Sequence, residues 1–178
     1  PKDENELQHM LKTAVQCGYP ASIRYPRGHG AGVALDEAPR ALGLGEGEIL
    51  STGSDLAIFA IGACVYPALQ AAAVLLKEGI SITVINARFV KPLDEKLLCD
   101  TALSLSRVLT VEENVLMGGF GSAVLELFES RGIRNIQVRR LGIRDAFVEH
   151  ATQRELRNMS GIDEEGICTA VRQMMRDE

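Results

Sequence analysis

Residues Arg107–Phe128, RVLTVEENVLMGGFGSAVLELF, hold the pattern from which the rest of the chain is read. Val108–Val111 is short, apolar and β-branched, which marks a buried strand. Two adjacent carboxylates, Glu112 and Glu113, follow it. The turn Gly118-Gly119-Phe120-Gly121 then leads into an amphipathic helix running from about Gly119 to Glu129. Glycines at the mouth of a helix after a strand often cradle a phosphate. Here the field of two nearby carboxylates opposes an anion, and the turn has neither the lysine and hydroxyl of a P-loop nor the spacing of a dinucleotide fingerprint. The glycines are read as serving structure or an interface in preference to a small-anion site.

The same alternation extends in both directions. Upstream lie a possible edge strand at Glu46–Leu50, an unbroken apolar strand at Leu56–Ile61, and a helix over about Val65–Glu78 with Pro67 tolerated in its first turn. Ile80–Ile85 is the next strand, and Pro92-Leu93-Asp94 opens a helix to about Leu103. Downstream come a strand at Ile136–Leu141 and helices near Gln153–Met159 and Glu164–Met175. Continuous apolar strands alternating with helices imply an α/β fold, a mostly parallel sheet covered on both faces in three layers. Ligands or partners of such sheets meet the carboxyl ends of the strands. Here those ends are Gly62–Cys64, Asn86–Phe89, Glu112–Gly121 and Gly142–Asp145.

The first 45 residues read differently. Asp3 and Glu6 have the spacing of a capping box, and Leu7, Met10, Leu11 and Val15 repeat at helical spacing until Gly18-Tyr19-Pro20 stops them. Ala21–Tyr25 is expected to be a short strand. Pro26 to about Gly45 is glycine-rich and aperiodic, the best candidate for a domain linker.

Bulk properties narrow the function. The chain has 178 residues, a net charge of −5 and a pI near 5.3, which gives no footprint for nucleic acid or an anionic membrane. No apolar run reaches the roughly 18 to 20 residues of a membrane span, and no signal sequence is visible. The opening Pro1-Lys2-Asp3-Glu4 suggests a piece of a longer or processed protein. Four dispersed cysteines and three dispersed histidines make zinc improbable, and a reducing compartment without disulfides is expected.

Several residues invite a chemical role. Glu112 and Glu113 have the makings of a proton-sharing or cation-binding pair, but strand-end acids more often pair with arginines or accept from helix-start N–H groups. Arg88 and Arg144, on neighbouring strand ends, are the expected partners. Arg24 and Arg27 flank Tyr25-Pro26, whose fixed turn holds both guanidinium groups in directions suited to a phosphate or carboxylate; the alternative is a plain surface arginine. His29 reads as an exposed loop histidine and His150 as an ion-pair partner of Glu149. Neither has a nucleophile near it in sequence. Alone, the chain lacks a self-sufficient active site.

Three segments together, Ile23-Arg24-Tyr25-Pro26-Arg27-Gly28, Asn86–Asp94 (NARFVKPLD) and Val111–Asn114 with Gly118–Gly121, resemble the 1-deoxy-D-xylulose-5-phosphate synthase family of the transketolase superfamily. The tail, Glu149-His150 and Gly161–Ile167, is similar to the end of those enzymes. The resemblance implies a transketolase-type C-terminal domain over residues 41–178. Residues 1–40 are then a helix–strand remnant of a pyrimidine-binding domain with its linker. It further implies a cytoplasmic homodimer (plastidic in a plant) that condenses pyruvate with glyceraldehyde 3-phosphate, using thiamine diphosphate and Mg2+. Arg24 matches an arginine that helps hold the substrate's phosphate. No catalytic, cofactor-binding or metal-binding residue carries over, so this segment alone is expected to be inactive and to bind no cofactor. A non-catalytic docking or assembly domain, or the matching part of a transketolase or 2-oxoacid dehydrogenase β subunit, are the competing readings.

Overall fold

A computed structural model describes residues 1–176 of the chain. Five strands, β1 (Glu48–Ser51), β2 (Leu56–Ala60), β3 (Ile82–Asn86), β4 (Arg107–Val115) and β5 (Gln137–Ile143), form one sheet in the order β1-β3-β2-β4-β5. β1 pairs antiparallel to β3 at one edge, and the other pairings are parallel. Six helices accompany them: α1 (Glu4–Gln16), α2 (Val65–Lys77), α3 (Glu95–Leu105), α4 (Phe120–Ser130), α5 (Gln153–Ser160) and α6 (Glu164–Met174). A single 3-10 turn, Gly62–Cys64, leads into α2.

The period of two along a strand sorts the core into two halves. Leu56, Ile58 and Ala60 of β2, with Val84, Leu109 and Val111, pack against α2 and α6. Ala57 and Phe59, with Ile85 and Val108, face the other way onto Leu98 and Ala102 of α3 and Phe120, Val124 and Phe128 of α4. All five residues of β2 are buried, which is why it reads as an unbroken apolar run, and all five of β3 are buried too, Thr83 and Asn86 among them. The three-layer α/β/α expectation therefore stands.

Helix starts follow local chemistry. The side chains of Asp3, Asp94 and Asp163 accept from the N–H groups of Glu6, Leu97 and Gly166 at 2.7, 3.0 and 2.9 Å. Thr152 and Glu155 form a complete capping box at α5. The box expected at α1 is only half made. Asp3 caps, but the Glu6 carboxylate turns away to accept from the Lys2 N–H at 2.7 Å and from side chains on β3 and just beyond it.

One expectation fails in the first 45 residues. Ala21–Tyr25 is not a strand, and between α1 and β1 there is no helix or strand at all. Its residues have strand propensity, but no neighbouring strand offers it a ladder, and propensity alone does not hold a strand. The aperiodic segment that follows is held in place. It runs along α1, which grips its backbone with a stripe of polar side chains. Glu4 accepts from the N–H groups of Ala31, Gly32 and Val33 at 2.8, 2.7 and 3.0 Å. Asn5 accepts from Asp36 N–H, the His9 Nδ1 from Arg40 N–H, and the Thr13 hydroxyl from Leu42 N–H. Since Nδ1 of His9 is an acceptor, its Nε2–H donates to Asp36, 2.9 Å away.

Candidate functional site

β4 continues through both carboxylates to Val115, because after an irregularity it pairs again with β5 at Val115 and Ile143. As adjacent strand residues, Glu112 and Glu113 point to opposite sides and do not share a proton or a cation. Glu112, 1% exposed, accepts from the N–H groups of Phe120 and Gly121 at 2.7 and 2.8 Å and caps α4 from outside the helix. Burial pushes its carboxyl up from the ordinary value, against the pull of those two donors and of Arg140.

The glycines are there to allow that approach. A Cβ on Gly119 would lie 2.3 Å from the Glu112 Oε2, and one on Gly121 would lie 2.5 Å from the Thr110 hydroxyl. The helix mouth that resembled a phosphate cradle is thus filled by the protein's own carboxylate. Thr110 is fully buried, and its hydroxyl oxygen has no hydrogen-bond partner among the described residues.

Glu113 pairs with Arg157 of α5 at 2.5 Å. Neither Arg88 nor Arg144, the expected partners, is used. Arg88 is taken by Glu6 and Glu48, at 2.9 and 2.8 Å, and Arg144 is exposed with no ion pair among the described residues. Arg88 has φ +56°, an uncommon conformation for a residue other than glycine, and its guanidinium meets Glu6 of α1.

That contact belongs to a cluster the sequence does not reveal. Glu6, only 3% exposed, accepts from Asn86 Nδ2 at 2.7 Å and from Arg88 Nε at 2.9 Å, with the Lys2 ammonium 3.3 Å away. Burial pushes its carboxyl up, but the Lys2 N–H, Arg88 and the Lys2 charge outweigh it and hold the group below its ordinary value. Beside it the Tyr66 hydroxyl donates to Asp3 at 2.8 Å, and burial with that bond raises the phenol to about 12. Asn86 and Arg88 lie in the NARFVKPLD segment, so the cluster joins the end of β3 to the helix that precedes the sheet.

Arg24, Tyr25 and Arg27 sit in an exposed loop, not at a strand end. Neither guanidinium has an ion pair among the described residues. The loop touches the rest of the chain where Gln153 of α5 donates to the Arg27 carbonyl at 2.5 Å. His29 and His150 are exposed, and no ion pair joins His150 to Glu149 among the described residues. All four cysteines are free thiols, with Cys64 and Cys168 buried. Among the described residues no three His, Cys, Asp or Glu side chains converge to hold a metal, and no helix is long and apolar enough to cross a membrane.

With this geometry the comparisons with known proteins agree. Residues 45–167 match the family described as "Transketolase, C-terminal domain". The chain belongs to that family. It is 62% identical, over 98% of its length, to a protein of Syntrophus aciditrophicus named 1-deoxy-D-xylulose-5-phosphate synthase, of which it covers 27%. It is 53% identical, over 99% of its length, to 1-deoxy-D-xylulose-5-phosphate synthase 1 of Geobacter metallireducens, of which it covers 28%. The chain thus spans about a quarter of these relatives and corresponds to their C-terminal portion. Among solved structures it is similar to one titled "Split gene transketolase, inactive beta4 tetramer", with a TM-score of 0.83 and 30% identity over 97% of this chain and 55% of that one.

Proposed function

We propose that this chain is the C-terminal segment of a 1-deoxy-D-xylulose-5-phosphate synthase, which condenses pyruvate with glyceraldehyde 3-phosphate and releases carbon dioxide. The observation that carries this reading is the 62% identity sustained along 98% of the chain. Residues 1–40 are the end of the pyrimidine-binding domain and its linker, and residues 41–178 the C-terminal domain. The family match starting at residue 45 supports that division. The whole enzyme is a cytoplasmic homodimer in this reading.

Within the segment, Arg24 holds the phosphate of glyceraldehyde 3-phosphate. An exposed guanidinium beside a proline-fixed turn presents two parallel N–H donors to a dianion, the geometry that suits phosphate best. Thiamine diphosphate with Mg2+ is implied for the whole enzyme, but the described residues do not fit it. Glu112 fills the glycine-lined mouth of α4, and no set of carboxylates or histidines converges on a metal position.

A second reading has one observation in its favour. The split-gene transketolase resembled by this chain is described as an inactive tetramer, so a segment of this type assembling without catalysis is the alternative. Kinetics on the protein encoded by the complete reading frame separate the two. Carbon dioxide release from pyruvate that depends on glyceraldehyde 3-phosphate supports the synthase, and its absence rejects it. In that enzyme Arg24→Ala should raise the KM for glyceraldehyde 3-phosphate roughly ten- to a hundredfold, the loss of a charged hydrogen bond, and leave the KM for pyruvate unchanged. An equal rise for both substrates removes the phosphate assignment.

A further inference from the structure

We propose that α5 is a strut and Gln153 a positioning residue that sets the arginine-bearing loop Arg24–Gly28 from the far end of the chain. The proposal rests on the synthase reading for its substrate and on geometry alone for the strut.

Gln153 and Arg157 are four residues apart and so lie on one face of α5. Arg157 is tied by its guanidinium to Glu113 on β4, at 2.5 Å. One turn earlier, the Gln153 amide N–H donates to the carbonyl of Arg27, also at 2.5 Å. β4 is paired on both sides as far as Val111, and Glu113 follows two residues later, before pairing with β5 resumes at Val115, so the strut stands just beyond the paired part of the sheet. Its other end is stiffened by the capping box, in which Thr152 N–H donates to the Glu155 carboxylate at 2.9 Å, one residue before Gln153.

The loop is shaped to receive the amide. Gly28 has φ +155°, and a Cβ added there would lie 2.9 Å from the Gln153 Nε2, so the glutamine lies flush against the loop backbone. Gln153 holds a main-chain carbonyl and leaves both arginine side chains free for an anion. Pro26 fixes φ between the held residue and Arg24, so an anchor at Arg27 limits where Arg24 can be. α5 has no buried residue. Its polar contacts with the sheet and the loop explain why an otherwise solvent-facing helix sits here.

The geometry thereby gives Glu113 a role that no site chemistry supplies: it is the foot of the strut. Through α5 the segment after the sheet contributes to binding of the phosphorylated aldehyde by placing the loop. One hydrogen bond of this kind is worth roughly two- to tenfold in affinity.

Two measurements on Gln153→Leu test the proposal. In the 178-residue chain, timed trypsin digestion read by mass spectrometry at the Arg27–Gly28 bond should show cleavage several-fold faster than in the parent. Gln153→Lys, which keeps a donor of sufficient reach, should restore the slow rate, and Arg157→Leu should reproduce the fast one. In the complete enzyme, Gln153→Leu should raise the KM for glyceraldehyde 3-phosphate about two- to tenfold with kcat and the pyruvate KM unchanged, and Gln153→Lys should recover it. An unchanged cleavage rate overturns the strut. Faster cleavage with an unchanged KM overturns its part in substrate binding. A complete parent protein without synthase activity rejects the proposed function, while the digestion still decides the strut.

Discussion

Replacing Glu6 by alanine tests how firmly the helix preceding the sheet is built into this fold. The substitution removes a carboxylate that is 3% exposed and accepts from Lys2 N–H, Asn86 Nδ2 and Arg88 Nε. Asn86 is fully buried, and losing its acceptor costs about 1–3 kcal/mol. Arg88 keeps Glu48, so its loss is partial, about 1–2 kcal/mol. The sum, about 2–5 kcal/mol, overlaps the cost of about 3–5 kcal/mol for removing one partner of a buried ion pair. A domain of this size has about 5–15 kcal/mol in all, so the variant should remain folded with a much lower urea midpoint. The pH dependence supplies the sign. Glu6 is held below the ordinary value of a glutamate carboxyl, so its contribution is fully present above that ordinary value and fades as pH falls through the lower folded-state one. Urea unfolding followed by circular dichroism at pH 7, 5 and 3 should therefore show the gap between parent and variant closing only at the acid end. A loss below about 1 kcal/mol at pH 7, or a gap that does not change with pH, would refute the reasoning.

Glu112→Ala should cost about 3 kcal/mol in the same assay, since two buried N–H groups at the start of α4 lose their acceptor. Thr110→Val should go the other way, raising the melting temperature by a few degrees for about 1 kcal/mol, because a fully buried hydroxyl oxygen with no partner among the described residues is replaced by a methyl of similar shape. Burial raises the Cys64 thiol well above its ordinary value, so at pH 8 a disulfide reagent should modify the half-buried Cys17 and Cys99 first and reach Cys64 only on unfolding.

The sheet was legible because its signals are local. Leu56–Ala60 is apolar on both faces, and Asp94 and Asp163 announce the helices they cap, so each element can be read within a few residues of itself. The charge of Glu112, which opposes an anion at the glycine turn, is likewise legible within a few residues of that turn. What escaped is non-local. Ala21–Tyr25 looks like a strand until one asks what would pair with it. Glu6 looks like half of a capping box, yet its carboxylate is claimed by residues 80 and 82 positions away. Glu113 and Arg157 are 44 positions apart, and Gln153 and Arg27 are 126 apart. Polar pairs of this kind leave no periodicity behind, because one glutamate or glutamine among many carries no mark of its partner. The phosphate role of Arg24 rests on family resemblance together with its exposed position.

The strap that lies along α1 has an evolutionary consequence. Glu4, Asn5, His9 and Thr13 all grip main-chain N–H groups of residues 31–42, so the side chains of the strap, apart from Asp36 which accepts from His9, are largely free to change. Its length is not free. Losing or gaining one residue between Val33 and Arg40 would put every later N–H out of step with its acceptor on the helix. Related chains should therefore vary in the composition of this segment while keeping its residue count, behaving less like a hinge than like a measured spacer between α1 and the sheet.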